Sequence, residues 1–334
     1  MHSRTRSPIK IIFFLAIFLC LATAIQTTEA QKLKAGNFEL LSFEMPDVER
    51  GAGLAIYLRT PGGKTYLYDT GLGYPDKTSP SGWGKDFNAG RDIIAPYLKK
   101  QGVKQIDGVF LSHAHYDHFG GLMWLVDNFP IKKLYDSGFE FKTDGDYGIE
   151  LDDYHKIRAR FKQKPGAYQE CHTGDKLSID KELEVEVISP PKSFFGEAHP
   201  ETRPKQDPPA HYLVNANSLG LRIRHDQTVF LFPGDIQRED QLQSLLPSLP
   251  PEKFKCDVLI APGHGIHSIP EFAQATRPSL TIASAVPRFA LKSPAPKIYG
   301  AVGSKVYLTG IHGNIQVISD GHQYTIKVER ENAQ

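Results

Sequence analysis

The chain has 334 residues, with 39 Lys and Arg against 38 Asp and Glu and a hydrophobic content of 40%. That is enough apolar material for one large globular domain with an ample core. The balanced charge gives no global case for a nucleic-acid-binding surface, which would have to come from a local basic patch.

At the N-terminus Arg4, Arg6 and Lys10 precede an apolar run from Ile11 to Ala24, and Thr28-Glu29-Ala30 offers a small-residue cleavage site. This pattern predicts a signal peptide over residues 1–30 and a single mature domain over 31–334, secreted or periplasmic. The run is short for a spanning helix, and no later stretch is apolar enough to span, so no stable membrane span is expected after cleavage. Leu19, before Cys20, is not the small residue a lipoprotein site needs. Cys171 and Cys256 remain after cleavage. An oxidising compartment permits a disulfide between them, but two buried thiols are the simpler reading.

Phe38 to Glu44 alternates and reads as a first strand. Leu54 to Arg59 and Thr65 to Tyr68 read as a hairpin joined by Pro61-Gly62-Gly63, ending in Asp69-Thr70-Gly71. Asp92 to Gln101 reads as a helix with Pro96 near its start, and Ile106 to Leu111 as a buried strand. Asp152 to Gln163 reads as a helix and Leu183 to Ser189 as a strand, followed by a long polar loop from Ser193 to Pro209 that carries Arg203 and Lys205. Ser218 to Arg224 and Thr228 to Phe232 form a second hairpin around His225-Asp226, ending in Pro233-Gly234-Asp235, with a helix from Arg238 to Leu246. Cys256 to Ala261 is a buried strand running into Pro262-Gly263-His264-Gly265, and Ser268-x-x-Glu271 predicts a capping box. The tail offers three short strands, Lys305 to Thr309, Asn314 to Ser319 and Gln323 to Val328, expected to complete the second sheet.

The chemistry concentrates in His113-Ala114-His115-Tyr116-Asp117-His118, between the apolar run Val109-Phe110-Leu111 and Gly120-Gly121-Leu122. A loop between a buried strand and a helix sits at the strand's carboxyl end, where open α/β sheets place their sites. Three imidazoles and a carboxylate within six residues are costly to crowd together unless something binds them, and they are the usual ligands of zinc and related metals. Residues two apart in an extended segment point the same way, so His113 and His115 can grip one ion while Asp117 and His118 face a second. Asp235 and His264 each follow a strand in the same manner.

The block at 113–118 resembles the His-x-His-x-Asp-His signature of the metallo-β-lactamase superfamily, with every position present. The resemblance implies an α/β (α+β) architecture: a four-layer αββα sandwich of two mixed sheets with helices outside. It also implies one or two divalent ions, zinc first and manganese as the alternative. Asp235 would bridge the two ions, His264 would complete the second site with Asp117 and His118, and Asp69 would support the loop by hydrogen bonding.

Asp92-Ile-Ile-Ala-Pro-Tyr-Leu, Asn215-Ala-Asn-Ser-Leu, Phe230-Leu-Phe-Pro-Gly-Asp and Val306-Tyr-Leu-Thr are similar to the hydrolase domain of ComEC-type competence proteins and their free-standing secreted relatives. That branch implies a phosphodiester substrate, small-molecule or nucleic-acid-type; no protein partner is predicted. Like that branch, this chain has Asn215 and Asn217 where the wider superfamily has a histidine ligand, so the first ion has either a weak or missing third protein ligand or His211 in that place. The branch usually has two adjacent histidines where this chain has Gly263-His264, so His267 joins Asn215 and Asn217 as a candidate substrate contact. The expected reaction is metal-assisted hydrolysis, with Asp117 orienting the attacking water and returning its proton to the leaving group. Amide or lactone hydrolysis is the alternative, and a non-catalytic metal-binding protein a more distant one.

Overall fold

The computed structural model describes residues 36–47, 53–73, 87–140, 146–196 and 209–331, with 146–151 and 209–212 described by their backbone alone. The predicted signal peptide, Arg203 and Lys205 lie outside the described residues, as does the side chain of His211.

The first sheet contains β1 (Phe38–Ser42), β2 (Ala55–Arg59), β3 (Thr65–Thr70), β4 (Gly108–Phe110), β5 (Leu134–Asp136) and β6 (Tyr168–Glu170). The second contains β7 (Lys176–Leu177), β8 (Glu184–Ser189), β9 (Gly220–His225), β10 (Thr228–Phe232), β11 (Val258–Ile260), β12 (Leu280–Ala283) and β13 (Lys305–Leu308). Two last strands, β14 (Ile315–Ser319) and β15 (Tyr324–Val328), return to the first sheet, whose order is β15-β14-β1-β2-β3-β4-β5-β6. The tail therefore divides: β13 joins the second sheet as expected, while β14 pairs antiparallel with β1, Val317 opposite Leu40. Both sheets are mixed. β3 to β6 run parallel, as do β10 to β13, and the remaining pairs are antiparallel.

Side-chain alternation explains the layering. On β10, Phe230 and Phe232 face one way, into a core shared with Phe38, Leu40, Ile56, Tyr68 and Phe110 of the first sheet. Leu231, between them, faces the other way, into a core with Phe254, Phe272 and Tyr299. On the first sheet Leu67, Val109 and Leu111 meet Ile94, Leu98, Phe119, Leu122, Tyr154 and Phe161 from the helical side. Three apolar layers thus separate helices, sheet, sheet and helices. Strands covered on both faces must be apolar on both faces, and β3, β4, β10 and β11 read that way.

The helices over the first sheet are α1 (Ala95–Lys100), entered through a wider turn at Gly90–Ile94, then α2 (Tyr116–Asn128) and α3 (Asp146–Lys162). A fourth, α4 (Pro209–Ala216), precedes β9. The helix Pro270–Thr276 starts without the predicted capping box: its N-cap is Ile269, Pro270 supplies the first turn, and the Ser268 hydroxyl donates instead to the Gly265 carbonyl at 2.8 Å. Pro at the first helical position needs no N–H partner, which removes the demand for a cap.

Gly121 explains why two glycines follow the histidine loop. A Cβ there would lie 2.0 Å from the Thr70 carbonyl oxygen, so α2 rests backbone on backbone against the turn after β3. Gly121→Ala is expected to push α2 off this turn at a cost of roughly 1–3 kcal/mol. A thermal unfolding midpoint unchanged from wild type would refute that packing account.

Cys171 and Cys256 are both buried and free. Burial pushes the Cys171 thiol up to about 12, so it is an inert thiol near neutral pH.

Candidate metal centre

The parallel halves of the two sheets present their carboxyl ends at one edge, and the chemistry-bearing residues lie just beyond those ends. Asp69 closes β3, the block 113–118 follows β4, Asp235 follows β10, His264 follows β11 and Ser284 follows β12. Register sets the neighbours. Tyr68 opposite Phe110 places Asp69 beside Ser112, and Leu231 opposite Leu259 brings Gly234 to Gly263, whose N–H donates to the Gly234 carbonyl at 3.3 Å.

His113, His115, Asp117, His118, Asp235 and His264 come together. His118 Nε2 lies 3.2 Å from His264 Nε2, 3.3 Å from Asp235 Oδ2 and 3.8 Å from Asp117 Oδ1. His264 Nε2 lies 3.2 Å from Asp235 Oδ2 and 3.4 Å from Asp117 Oδ2. Nitrogen and oxygen ligands about 2.0–2.1 Å from a tetrahedral ion stand roughly 3.3–3.4 Å from one another, so these separations fit the edges of such a cage. Beside it, His113 Nε2 faces His115 Nδ1 at 2.9 Å, and His113 forms a further three-residue donor group with His118 and Asp235. His118 is common to this group and to the Asp117, His118 and His264 donor group, and Asp235 Oδ2 stands 3.3 Å from His118 Nε2 and 3.2 Å from His264 Nε2.

The rings are held in the tautomers that ligation needs. His264 Nδ1 donates to the Ser284 carbonyl at 2.8 Å, which directs the Nε2 lone pair into the cage. His118 Nδ1 donates to Asp69 Oδ2 at 2.8 Å, with the same result. Asp69 also accepts from the Ser112 N–H and the Ser112 hydroxyl, both at 2.7 Å. The Ser112 oxygen, its proton given to Asp69, is left to accept from His113 Nδ1 at 2.9 Å. One buried carboxylate therefore orients two histidines. Ser218 links the halves of the site: its oxygen accepts from the Asp235 N–H at 3.2 Å and lies 3.4 Å from His113 Nδ1. Asp69 and His264 both hold left-handed backbone, φ 56° and 58°, a strain typical of over-determined functional positions.

The electrostatics suit a cation. Burial opposes ionisation of Asp235 and Asp117, yet the His118 and His264 imidazoles hold both carboxyls below the usual range. Burial draws His264 down, but without an ion Asp235 and Asp117 outweigh it and push the ring up to about 10, so a bound cation would take the place of the Nε2 proton. His113 goes the other way: burial, with His118 and His115 nearby, keeps it well below its usual value and therefore neutral. Two carboxylates concentrate negative potential at the centre while the neutral His113 ring keeps a lone pair to offer.

The remaining predicted residues divide. Asn217 is buried: its Nδ2 donates to the Phe195 and Leu213 carbonyls and its Oδ1 accepts from the Phe195 N–H, so the amide anchors a loop. Asn215 is buried, and its Oδ1 has no hydrogen-bond partner among the described residues. His267 is half-buried, its ring against Gly263, where a Cβ would lie 2.0 Å from His267 Cδ2. Ser112, Ser218 and Ser284 were not anticipated. Only Ser112 carried a signal, its place directly before His113.

A sequence model of the family described as the Metallo-beta-lactamase superfamily matches residues 48–269. ComE operon protein 3 of Bacillus subtilis (strain 168) is 26% identical over 249 residues, 72% of this chain and 28% of that protein. The Uncharacterized protein YcaI of Escherichia coli (strain K12) is 37% identical over 81 residues, 24% of this chain and 9% of that one. This chain thus spans less than a third of the length of either curated relative. Among solved structures, the CmlA beta-hydroxylase E377D mutant superposes with a TM-score of 0.45 and 13% identity, covering 83% of this chain and 53% of that one. The metallo-beta-lactamase fold protein YhfI from Bacillus subtilis gives 0.43 and 11%, covering 81% and 96%.

Proposed function

The chain belongs to the metallo-beta-lactamase superfamily, and from that premise we propose that it is an exported metal-dependent hydrolase acting on a phosphodiester or related ester. The observation that carries the reading is the cage of Asp117, His118, Asp235 and His264, with edges of 3.2–3.8 Å. A divalent ion bound there, zinc before manganese given the imidazoles, supplies an acidified water and positive charge against the developing anion.

The chain's own residues do the rest. His118 and His264, locked through Nδ1, fix the cage without reorganisation during reaction. Asp117 has the most exposed side chain of the four, at 21%, and the two imidazoles keep it ionised. As an ionised, partly accessible carboxylate it is placed to orient an attacking water and to pass a proton on to the leaving group. His113 and His115 offer the second place for a cation, with His118 common to the two donor groups and Asp235 Oδ2 3.3 Å from it. Arg238, exposed, donates to the Ile266 carbonyl at 2.7 Å and sets a positive charge on the loop that carries His264, which favours an anionic substrate. The predicted signal peptide supports export, and among the described residues no helix is long and apolar enough to cross a membrane.

The test is one preparation recovered from outside the cytosol. Its N-terminus is expected near Gln31, its metal content near two equivalents, and its activity on bis-p-nitrophenyl phosphate lost to a chelator and restored by zinc or manganese. Turnover of nitrocefin instead would favour the amide or lactone alternative. Absence of bound metal after reconstitution would sink the mechanism.

A further inference from the structure

The loops carrying Asp235 and His264 come from different strands, and their separation sets the cage. One side chain spans them. Gln241, fully buried in the helical segment after Asp235, gives one Nε2 hydrogen to the Ile236 carbonyl at 2.7 Å and the other to the His267 carbonyl at 2.8 Å. Ile236 adjoins Asp235, and His267 lies three residues past His264. The orientation of the amide is fixed by the acceptors: two carbonyl oxygens demand the nitrogen on that side. The amide oxygen has no hydrogen-bond partner among the described residues. A buried amide oxygen without a protein partner carries a desolvation cost that an apolar residue of the same size would avoid, so packing alone does not account for a glutamine there. Two further ties run between the same loops, from Gly263 N–H to the Gly234 carbonyl and from Arg238 to the Ile266 carbonyl. Gln241 is the one among these that holds both loops through a single rigid group.

We propose that Gln241 is a positioning residue of the metal centre: its carboxamide fixes the spacing of Asp235 and His264 and so sets how tightly the cage holds its ion. The proposal rests on the metal reading given above and concerns binding, not turnover. Gln241→Met keeps the volume and removes both donors. Gln241→Glu keeps the shape but, ionised, turns oxygens toward two carbonyls. Zinc affinity would be measured by competition with a chromophoric chelator on full-length mature protein, together with the melting temperature of the metal-free form.

Outer-shell partners of metal ligands typically set affinity by about 10–100-fold, and a loss of that order is expected for the tightest-bound zinc in Gln241→Met, with the glutamate variant at least as weak. If the methionine variant does not fold, the glutamate variant carries the comparison. Wild-type zinc affinity in the folded variants, with only the metal-free melting temperature lowered, would overturn the positioning role and leave the metal reading standing. Failure of the unmutated protein to bind zinc would overturn both.

Discussion

Replacing Asp235 by asparagine is expected to empty the centre of both its ions and to abolish hydrolysis. Asp235 Oδ2 is 3.3 Å from His118 and 3.2 Å from His264, and the residue also belongs to the donor group containing His113. Asparagine keeps the shape and a carbonyl oxygen but not the charge. The Ser218 oxygen would still accept from the backbone N–H of residue 235, so the loop should stay in place. What is lost is one of the two carboxylates that make the pocket attractive to a cation, worth several kcal/mol where water is excluded. At about 1.4 kcal/mol per decade, activity should fall by roughly 10²–10³-fold or more. The comparison that gives this meaning is His115→Ala. His115 Nδ1 faces His113 Nε2 at 2.9 Å and does not belong to the Asp117, His118 and His264 donor group, so that variant is expected to retain one tightly held equivalent. Elemental analysis of the two proteins after desalting decides the matter. Full metal content in Asp235→Asn would remove Asp235 from the ligand set.

The largest loss of stability is expected away from the centre, at Arg158. Its Nε donates to Asp136 Oδ2 at 2.7 Å, and both side chains are nearly inaccessible. Asp136 closes β5 and also accepts from Tyr154, from Tyr168 at 2.7 Å and from the Gly138 N–H at 2.9 Å. This carboxylate ties α3 and β6 to the end of β5. Arg158→Met would strand a buried negative charge, which typically costs about 3–5 kcal/mol. In a chain of this size that is a drop in melting temperature of roughly 10 °C. Removing both charges, as Asp136→Leu with Arg158→Met, is expected to recover part of the loss, since a well-packed apolar pair can replace a buried ion pair. A double variant no more stable than Arg158→Met would show that the tyrosine and backbone bonds, and not charge balance, dominate. A cavity of about 10 Å³, roughly one water, is lined by His113, Asn217, Asp136 and Arg158, so metal content belongs in the same experiment. The folded fraction of Arg158→Met should keep its metal.

What could be read from the chain depended on how local the signal was. The block 113–118 is contiguous and chemically improbable as surface decoration, and the alternating apolar runs before Asp69 and Asp235 gave those turns their place. The four-layer architecture came with the family resemblance and is what the two mixed sheets and three apolar layers display. The sheet to which β14 belongs could not be read, because pairing with β1 joins residues nearly the whole chain apart. β5 and β6, at three residues each, are too short to carry a period. That Asn217 anchors the Phe195 loop is invisible in sequence, because the two residues are 22 positions apart with no pattern linking them. Gln241 carried no signal in the sequence. A glutamine in an amphipathic helix reads as a solvent-facing residue, and only the folded chain reveals that its amide is enclosed.

The two nitrogens 3.2 Å apart in the cage, on His118 and His264, belong to residues 146 positions apart. In polymer terms an ion shared by them is a cross-link that closes a loop of that length. Loop closure costs rise only slowly with length, so such a link constrains the unfolded chain about as much as a long-range disulfide would, ~4–5 kcal/mol on the chain-entropy account. Cys171 and Cys256 form no such link. The centre can therefore serve this protein as disulfides serve many secreted domains, with one difference in kind: a chelator, and not a reductant, would undo it.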